Sequence, residues 1–328
     1  MLFRSVMRVL ALALLLALGA TSAVKAQSSD FGAWLDGLRQ EAGARGIAAA
    51  TVEAALVGLE PIPRVIDLDR RQPESTIKFS SYRQRVVSAQ RVADGKARLR
   101  EYRDLLDRVA TRFGVQSRFV VALCGIETSY GRATGDYPVI AALATLAWDG
   151  RRSAFFRAEL IDALTILDQG HISPARLRGS WAGAMGQTQF MPSSFLKYAV
   201  DFDGDGRRDI WTTRADVFAS AANYLAGVGW KGDQTWGRAV RLPARLDRSL
   251  IGIETGKSID EWRALGILRS DGGALPQRAE IVASLVQPDG AGTAAFLVYD
   301  NFRAILRWNR SSYFALSVGE LADKIGDG

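Results

Sequence analysis

Cysteine and histidine are almost absent. The 328 residues hold one of each, Cys124 and His171. A single cysteine excludes an intramolecular disulfide, and no cluster of cysteines and histidines is legible that could hold zinc. A Ser-His-Asp hydrolase would depend on His171 alone, which sits in a Gly-His-Ile-Ser-Pro turn, a poor context for a general base. Cys124 lies in an apolar stretch and reads as a small packing residue. Nine prolines and 23% charged residues, beside 48% hydrophobic ones, argue against extensive disorder and supply an ample core. The length fits one large domain or two lobes.

Long apolar runs are equally scarce. One lies between Val9 and Leu18, behind Arg4 and Arg8 and ahead of small residues ending at Ala26. It is short for a membrane span. With Val24 and Ala26 at the positions a signal peptidase reads, it predicts a secretory signal over residues 1–26, the alternative being an uncleaved anchor. The net charge of +7, less the three cations Arg4, Arg8 and Lys25, leaves a mature chain near +4. A basic surface suits an anionic partner, and export turns that expectation from nucleic acid to envelope polymers. The lone cysteine lies far from the signal, so none is available for lipid attachment there. The mature protein is expected to be soluble and periplasmic.

Helical periodicity dominates the rest. Phe31, Leu35 and Leu38 share a face behind a Ser29/Asp30 cap, and Thr51 could cap a short helix through "VEAALVGL". "EPIPRVIDLDRRQPE" reads as extended between prolines. From Ser81 onward helix is expected with a break near Gly95, and Leu99, Tyr102, Leu106, Val109 and Phe113 recur at three- and four-residue steps as one amphipathic helix. Helices are also expected through "SRFVVALCGIETSYG", "SAFFRAELIDALTILDQG", "ADVFASAANYLAGVGW", "NFRAILRWN" and "YFALSVGELADKI". "AEIVASLV", "QPDGAG" and "TAAFLVYD" read as a small hairpin.

Three stretches carry candidate chemistry. Glu127 ends an apolar helical run. Burying an unpaired carboxylate is costly, so it is either well satisfied or kept as an acid whose pKa is raised by desolvation. Glycosidases ordinarily add a second carboxylate. The nearest in sequence, Asp136 and Asp149, sit in turns and make no compelling partner. "GSWAGAMGQTQFMPSS", residues 179–194, has small residues that let a polymer approach, and Ser180, Gln187 and Gln189 could bond sugar hydroxyls; an ordinary packing loop is the alternative. "DFDGDGRRD" places Asp201, Asp203 and Asp205 at positions 1, 3 and 5 of a calcium loop, Gly206 at the turn and Arg207 at position 7, which offers a backbone carbonyl. Thr212 stands at position 12, where a glutamate is expected, and Asp216 could close a lengthened loop. A solvated Asp-Gly turn is the alternative. Tyr82, Tyr224, Trp230 and Trp308 could stack on sugars or fill the core, and Arg151 and Arg152 could meet carboxylates or remain a solvated pair.

Taken together, "VIDLDRRQPE", "GIETSYGR", "GSWAGAMGQTQFMPSSFLKYAVDFDGDGRRDIW", "SAANYLAGVGW" and "NFRAILRWNRS" resemble, in that order, the lytic murein transglycosylases of the membrane-bound transglycosylase B type, in its soluble branch. The resemblance implies a mainly α fold with a lysozyme-like catalytic core at about residues 110–236, surrounding helices and a small β element near the C-terminus, all within one domain over 27–328. It implies that Glu127 acts alone, as acid and then as base. It protonates the oxygen between N-acetylmuramic acid and N-acetylglucosamine, and the muramoyl C6 hydroxyl closes on C1 to a 1,6-anhydro end. The attacking oxygen belongs to the substrate, so no second carboxylate is required.

The same resemblance assigns glycan binding to Tyr82, Arg151, Arg152, Ser180, Gln189, Tyr224 and Asn309. It implies a structural calcium at Asp201, Asp203, Asp205, Arg207 and Asp216, with no cofactor required for chemistry. The partners implied are peptidoglycan strands and, among proteins, those of cell-wall synthesis or remodelling. This sequence departs from the pattern in three places. Trp308 replaces the usual tyrosine, Gln187 stands where some relatives carry an aromatic residue, and Asp216 closes the loop one step late. Two rival readings remain: a muramidase that uses water and a second carboxylate, and a murein-binding scaffold without activity.

Overall fold

The structure, a computed structural model, describes residues 31–71 and 77–326. The signal sequence, its cleavage site and the Ser29/Asp30 cap lie outside these described residues. The chain begins with α1 (Phe31–Ala44), α2 (Ala49–Leu56), α3 (Pro63–Arg70), α4 (Phe79–Val86), α5 (Ala89–Glu101), α6 (Arg103–Phe113) and α7 (Ser117–Thr128). A short strand β1 (Tyr137–Pro138) precedes α8 (Val139–Asp149) and α9 (Ser153–Asp168), and pairs with β2 (Arg178–Gly179). α10 (Pro192–Tyr198) and α11 (Arg214–Gly227) follow. The C-terminal part contains β3 (Gly237–Arg241), β4 (Gly256–Ser258), α12 (Ile259–Ala264), β5 (Leu268–Arg269), β6 (Val282–Val286), β7 (Ala295–Val298), α13 (Asp300–Trp308) and α14 (Ser312–Gly326).

Three apolar clusters organise these elements. One is built on α6, α7, α11, α13 and α14, around Phe119, Trp236, Phe302 and Leu321. A second joins α1–α3 to α8, α9 and α10, around Leu38, Leu56, Leu143, Leu160 and Phe195. The third packs α12 on the sheet through Ile259, Trp262, Leu285 and Leu297. α7 is buried from Phe119 to Gly125 without a polar face, which makes it a central helix. Trp308 packs against both helical clusters, so the end of α13 lies where they meet. No single helix among the described residues is long and apolar enough to cross a membrane.

Several sequence expectations are corrected here. Residues 63–70 are helical rather than extended, because Pro63 takes the first helical position, where its fixed φ helps and its missing N–H is not needed. Thr51 does not cap α2. The helix begins two residues earlier, and the Thr51 hydroxyl donates to Asp168 at 2.7 Å. The amphipathic run is split at Tyr102, which ends α5 and starts α6. The hairpin β6–β7 lies within a five-stranded antiparallel sheet of order β4-β6-β7-β3-β5. Its edge strands have only two or three residues, too short for an alternating pattern to register.

The expected break at Gly95 is absent, and α5 runs through it. A Cβ at Gly95 would lie 2.6 Å from Tyr130 Oη and 2.7 Å from Ile325 Cγ2. The glycine therefore marks a close approach of α5 to α7 and α14. Tyr130 cannot yield freely, since its hydroxyl donates to the Arg91 carbonyl at 2.7 Å. Gly95→Leu should cost ~2 kcal/mol through overpacking. A urea denaturation curve overlying that of the parent would show that the contact is loose.

Candidate active site

Glu127 occupies the last turn of α7, and that turn is held from several sides. Ser129 and Tyr130 both adopt left-handed backbone, at φ 51° and 62°. Such residues each cost on the order of 1–3 kcal/mol and persist only when their surroundings enforce them. Here Ser129 Oγ accepts from Arg91 Nη2 at 3.1 Å, and Tyr130 folds back under Gly125. Thr128 Oγ1 accepts from Gly131 N at 3.0 Å and lies 3.1 Å from the Gln187 carbonyl, to which it can donate. The helix therefore stops one residue beyond Glu127, in a fixed position.

The carboxyl of Glu127 receives one side-chain hydrogen bond, from Trp308 Nε1 to Oε1 at 2.8 Å. Burial pushes its pKa up to about 7, against the opposing effect of that bond, and among the described residues no second carboxylate contributes. Tyr82 on α4 senses the Glu127 charge. Its phenol is raised mainly by burial and further by Glu127. Trp308 is itself stacked against Phe190 at 5.1 Å and Tyr224 at 4.8 Å. The result is an aromatic wall beside an acid protonated near neutral pH.

The other sequence candidates fall into different states. Tyr224 and Trp308 form this wall, while Tyr82 lies within the field of Glu127 with its ring against Tyr313 at 5.9 Å. Tyr224 donates its hydroxyl to the Arg307 carbonyl at 2.6 Å and packs its ring among Phe190, Tyr198 and Trp308; burial raises its pKa to about 12. Gln189 adopts φ 50° and spends its amide nitrogen on the Thr134 and Gly186 carbonyls, at 3.0 and 2.9 Å. Ser180 Oγ accepts from the backbone N–H groups of Ala182 and Ala184, at 3.3 and 3.0 Å, and its hydroxyl proton remains to be donated. Asn309 accepts from Ser311 N at 3.0 Å and keeps its amide donors exposed. Gln187 is buried and committed internally, to Arg214 through Oε1 and to the Trp211 carbonyl at 2.8 Å. Trp230 is core, in contact with Phe119 at 4.7 Å.

Arg151 and Arg152 are not simply a solvated pair. Both bind the carboxylate of Asp69, which is 2% exposed and lies in the "VIDLDRRQPE" stretch. Arg151 also reaches Asp69 Oδ1 at 2.9 Å and the Asp69 carbonyl at 3.0 Å through Nη2. The Arg151 hydrogen bond, opposed by burial and joined by Arg152, holds the Asp69 carboxyl below its ordinary range. Asp69 carried no sequence signal beyond its motif. Asp149 is engaged by Arg70 at 2.6 Å. Both ring nitrogens of His171 face Arg208, so it is no free base. Cys124 is buried and its thiol pushed up to about 12, as a packing residue should be.

In the aspartate-rich turn, carboxylate oxygens of Asp201, Asp203 and Asp216 lie within 4.8 Å of one another. Asp216, at the start of α11, is buried and accepts from Phe202 N and Asp209 N, each at 2.7 Å. Burial raises its pKa, and the charges of Asp203 and Asp201 add to the rise. Two carboxylates crowding a third, buried one offer the hard oxygens that suit a hard cation. Asp205 stands outside that cluster, contrary to the sequence expectation. Its carboxylate is exposed, accepts from Arg207 N at 2.8 Å and lies 3.9 Å from Arg207 Nε. The Asp201 carboxylate also holds the turn, accepting from Gly204 N at 2.7 Å and Gly206 N at 2.9 Å.

Residues 30–323 match the family described as the transglycosylase SLT domain. The chain is 34% identical over 269 residues to membrane-bound lytic murein transglycosylase B of Escherichia coli K12, covering 79% of this chain and 72% of that protein. It belongs to this transglycosylase family. As a lytic transglycosylase it acts on peptidoglycan. Its fold is that of SltB3 from Pseudomonas aeruginosa, solved in complex with NAG-anhNAM-pentapeptide, with TM-score 0.89 and 46% identity, covering 92% of this chain and 80% of that one. Slt35 of Escherichia coli, solved in complex with calcium, matches with TM-score 0.76 and 29% identity, covering 89% and 92%. The mainly helical, lysozyme-like fold expected from the resemblance is therefore the fold of this lytic transglycosylase.

Proposed function

We propose that this lytic transglycosylase cleaves the β-1,4 bond between N-acetylmuramic acid and N-acetylglucosamine without water, with Glu127 as its only acid and base. The observation that carries this reading is Glu127 itself: an acid raised to about 7 by burial, with no second carboxylate among the described residues contributing to the shift. In the first step protonated Glu127 gives its proton to the bridging oxygen as the C1–O bond breaks. In the second the carboxylate takes the proton of the muramoyl C6 hydroxyl as that oxygen bonds C1. The proton count closes, and Glu127 returns to its acid form. The anhydro sugar named in the SltB3 complex supports such a product.

The glycan is held, in this reading, by the rings of Tyr82 and Tyr224, the Ser180 hydroxyl, the Gln189 amide oxygen and the Asn309 amide. Arg151 and Arg152, preset by Asp69, meet carboxylates of the peptide stems. The catalytic core spans about residues 110–236. The protein is exported to the periplasm by residues 1–26, where murein strands are its substrate. The deciding experiment is mass spectrometry of fragments released from purified murein by the mature protein and by Glu127→Gln. Muropeptides one water lighter than the hydrolytic product, absent with the variant, are expected. Fully hydrated reducing ends would mean a muramidase instead.

Asp201, Asp203 and Asp216 bind calcium as a structural ion, a reading supported by their clustering and by the calcium complex of Slt35. An ion that binds only the folded state stabilises it, by about 2.7 kcal/mol at a hundredfold excess over Kd. Calcium should raise the melting temperature of the protein, and Asp216→Ala should lose that increment. A melting temperature indifferent to both calcium and chelator would sink the assignment.

A further inference from the structure

We propose that Trp308 decides which oxygen of Glu127 moves the proton: Oε1 is held as a permanent acceptor, and Oε2 gives the proton and takes it back. The proposal rests on Glu127 being the acid and base, and it makes Trp308 a positioning residue. An indole nitrogen has one hydrogen to donate and no lone pair with which to accept. Trp308 Nε1–H points at Oε1 across 2.8 Å. A proton on Oε1 would compete with the indole hydrogen for that contact, so the acid form carries its proton on Oε2. A tyrosine hydroxyl both donates and accepts. At this position it could follow the proton to either oxygen, whereas tryptophan cannot.

Both partners are fixed well enough for this to matter. The indole is wedged between Phe190 and Tyr224, at 5.1 and 4.8 Å. The Tyr224 hydroxyl bonds the Arg307 carbonyl at 2.6 Å and so ties the last turn of α13 to α11. Glu127 is fixed in turn by the left-handed Ser129 and Tyr130 that end α7. The titratable groups sharing its field are Tyr82 of α4 and Cys124 of α7, both raised chiefly by burial. The cations behind them, among the described residues, are Arg85 of α4, Arg91 of α5, bonded to Ser129, and Arg214 of α11, bonded to Gln187. Burial moves both Tyr82 and Cys124 further above neutral pH, so an inflection near neutrality belongs to Glu127.

Two measurements test the proposal. The first is the pH profile of kcat/KM on murein fragments for the parent, Trp308→Phe and Trp308→Tyr, each checked for an unchanged melting temperature. Removing the donor destabilises the carboxylate, so Trp308→Phe should move the alkaline limb up by about one pH unit. Trp308→Tyr, which retains a donor, should move it less. An unmoved limb in Trp308→Phe, or equal movement in both variants, would reduce Trp308 to packing and overturn the proposal.

The second measurement needs no folded Trp308 variant. The Trp308 indole proton resonance of the parent should stay downfield on both sides of an inflection near pH 7, and the inflection should vanish in Glu127→Gln. A resonance flat with pH in the parent overturns the proposal. Failure of the underlying reading looks different: Glu127→Gln would cleave murein while the inflection in the parent remained.

Discussion

Glu127→Gln should slow murein cleavage by about a thousandfold. Glutamine matches the size of glutamate and keeps an amide oxygen for the Trp308 indole, so the surroundings of the helix end survive. What it loses is the exchangeable proton. In the proposed cycle that proton is needed to release the leaving sugar, and its absence afterwards is needed to draw the C6 hydroxyl onto C1. One substitution therefore disables both steps. The rate of soluble muropeptide release is the measurement. A variant retaining a tenth of the parent rate, with its fold intact, would remove Glu127 from the chemistry.

The same substitution should stabilise the fold at alkaline pH. The Glu127 carboxyl has a folded-state pKa of about 7, against 4.5 for an ordinary glutamate. Its neutral form is therefore the one the fold favours. That contribution is fully present below the unfolded value, falls as pH rises between the two, and is gone above the folded value. A difference of this size corresponds to about 3 kcal/mol. Glutamine never ionises, so Glu127→Gln should match the parent near pH 4 and exceed it by about that amount at pH 8. Denaturant curves at the two pH values check the sign. A variant no more stable than the parent at pH 8 would mean that the carboxylate is well solvated in its site.

An active site that costs stability to keep is also one that its sequence half reveals. Glu127 was legible because a charge followed an unbroken apolar helical run, a local conflict visible in a dozen residues. Trp308 as its donor was not legible, since the two stand 181 positions apart and nothing in "RWNR" signals where the indole points. Asp69 was hidden for the same reason, lying 82 positions from Arg151. Its motif was noticed, but prolines around it suggested extended chain. Pro63 in fact starts the helix that carries Asp69 to the arginines.

The aspartate loop was legible as a turn, and which of its carboxylates converge was not. Spacing identifies a turn dense in carboxylates. It does not distinguish Asp216, turned inward from the start of α11, from Asp205, turned out toward Arg207. Similarly, the turn "QPDGAG" announced its hairpin, whereas β4 and β5 are held by pairing with distant strands and leave almost no pattern of their own.

That hairpin turn has a practical consequence for anyone engineering this protein. Tips of β-hairpins are normally the first choice for inserted tags, loop extensions or new chain termini, because little depends on them. Here the tip residue Asp289 accepts from the backbone of Phe79 at 2.5 Å and of Ser80 at 3.0 Å, capping the first turn of α4. α4 carries Tyr82, whose phenol senses the charge of Glu127. A peptide inserted at residues 288–292 would sever a strut between the sheet and α4, far from Glu127 in sequence. The loops around Gly46 and Gly58, where an added side chain meets nothing, offer safer places to cut or extend the chain.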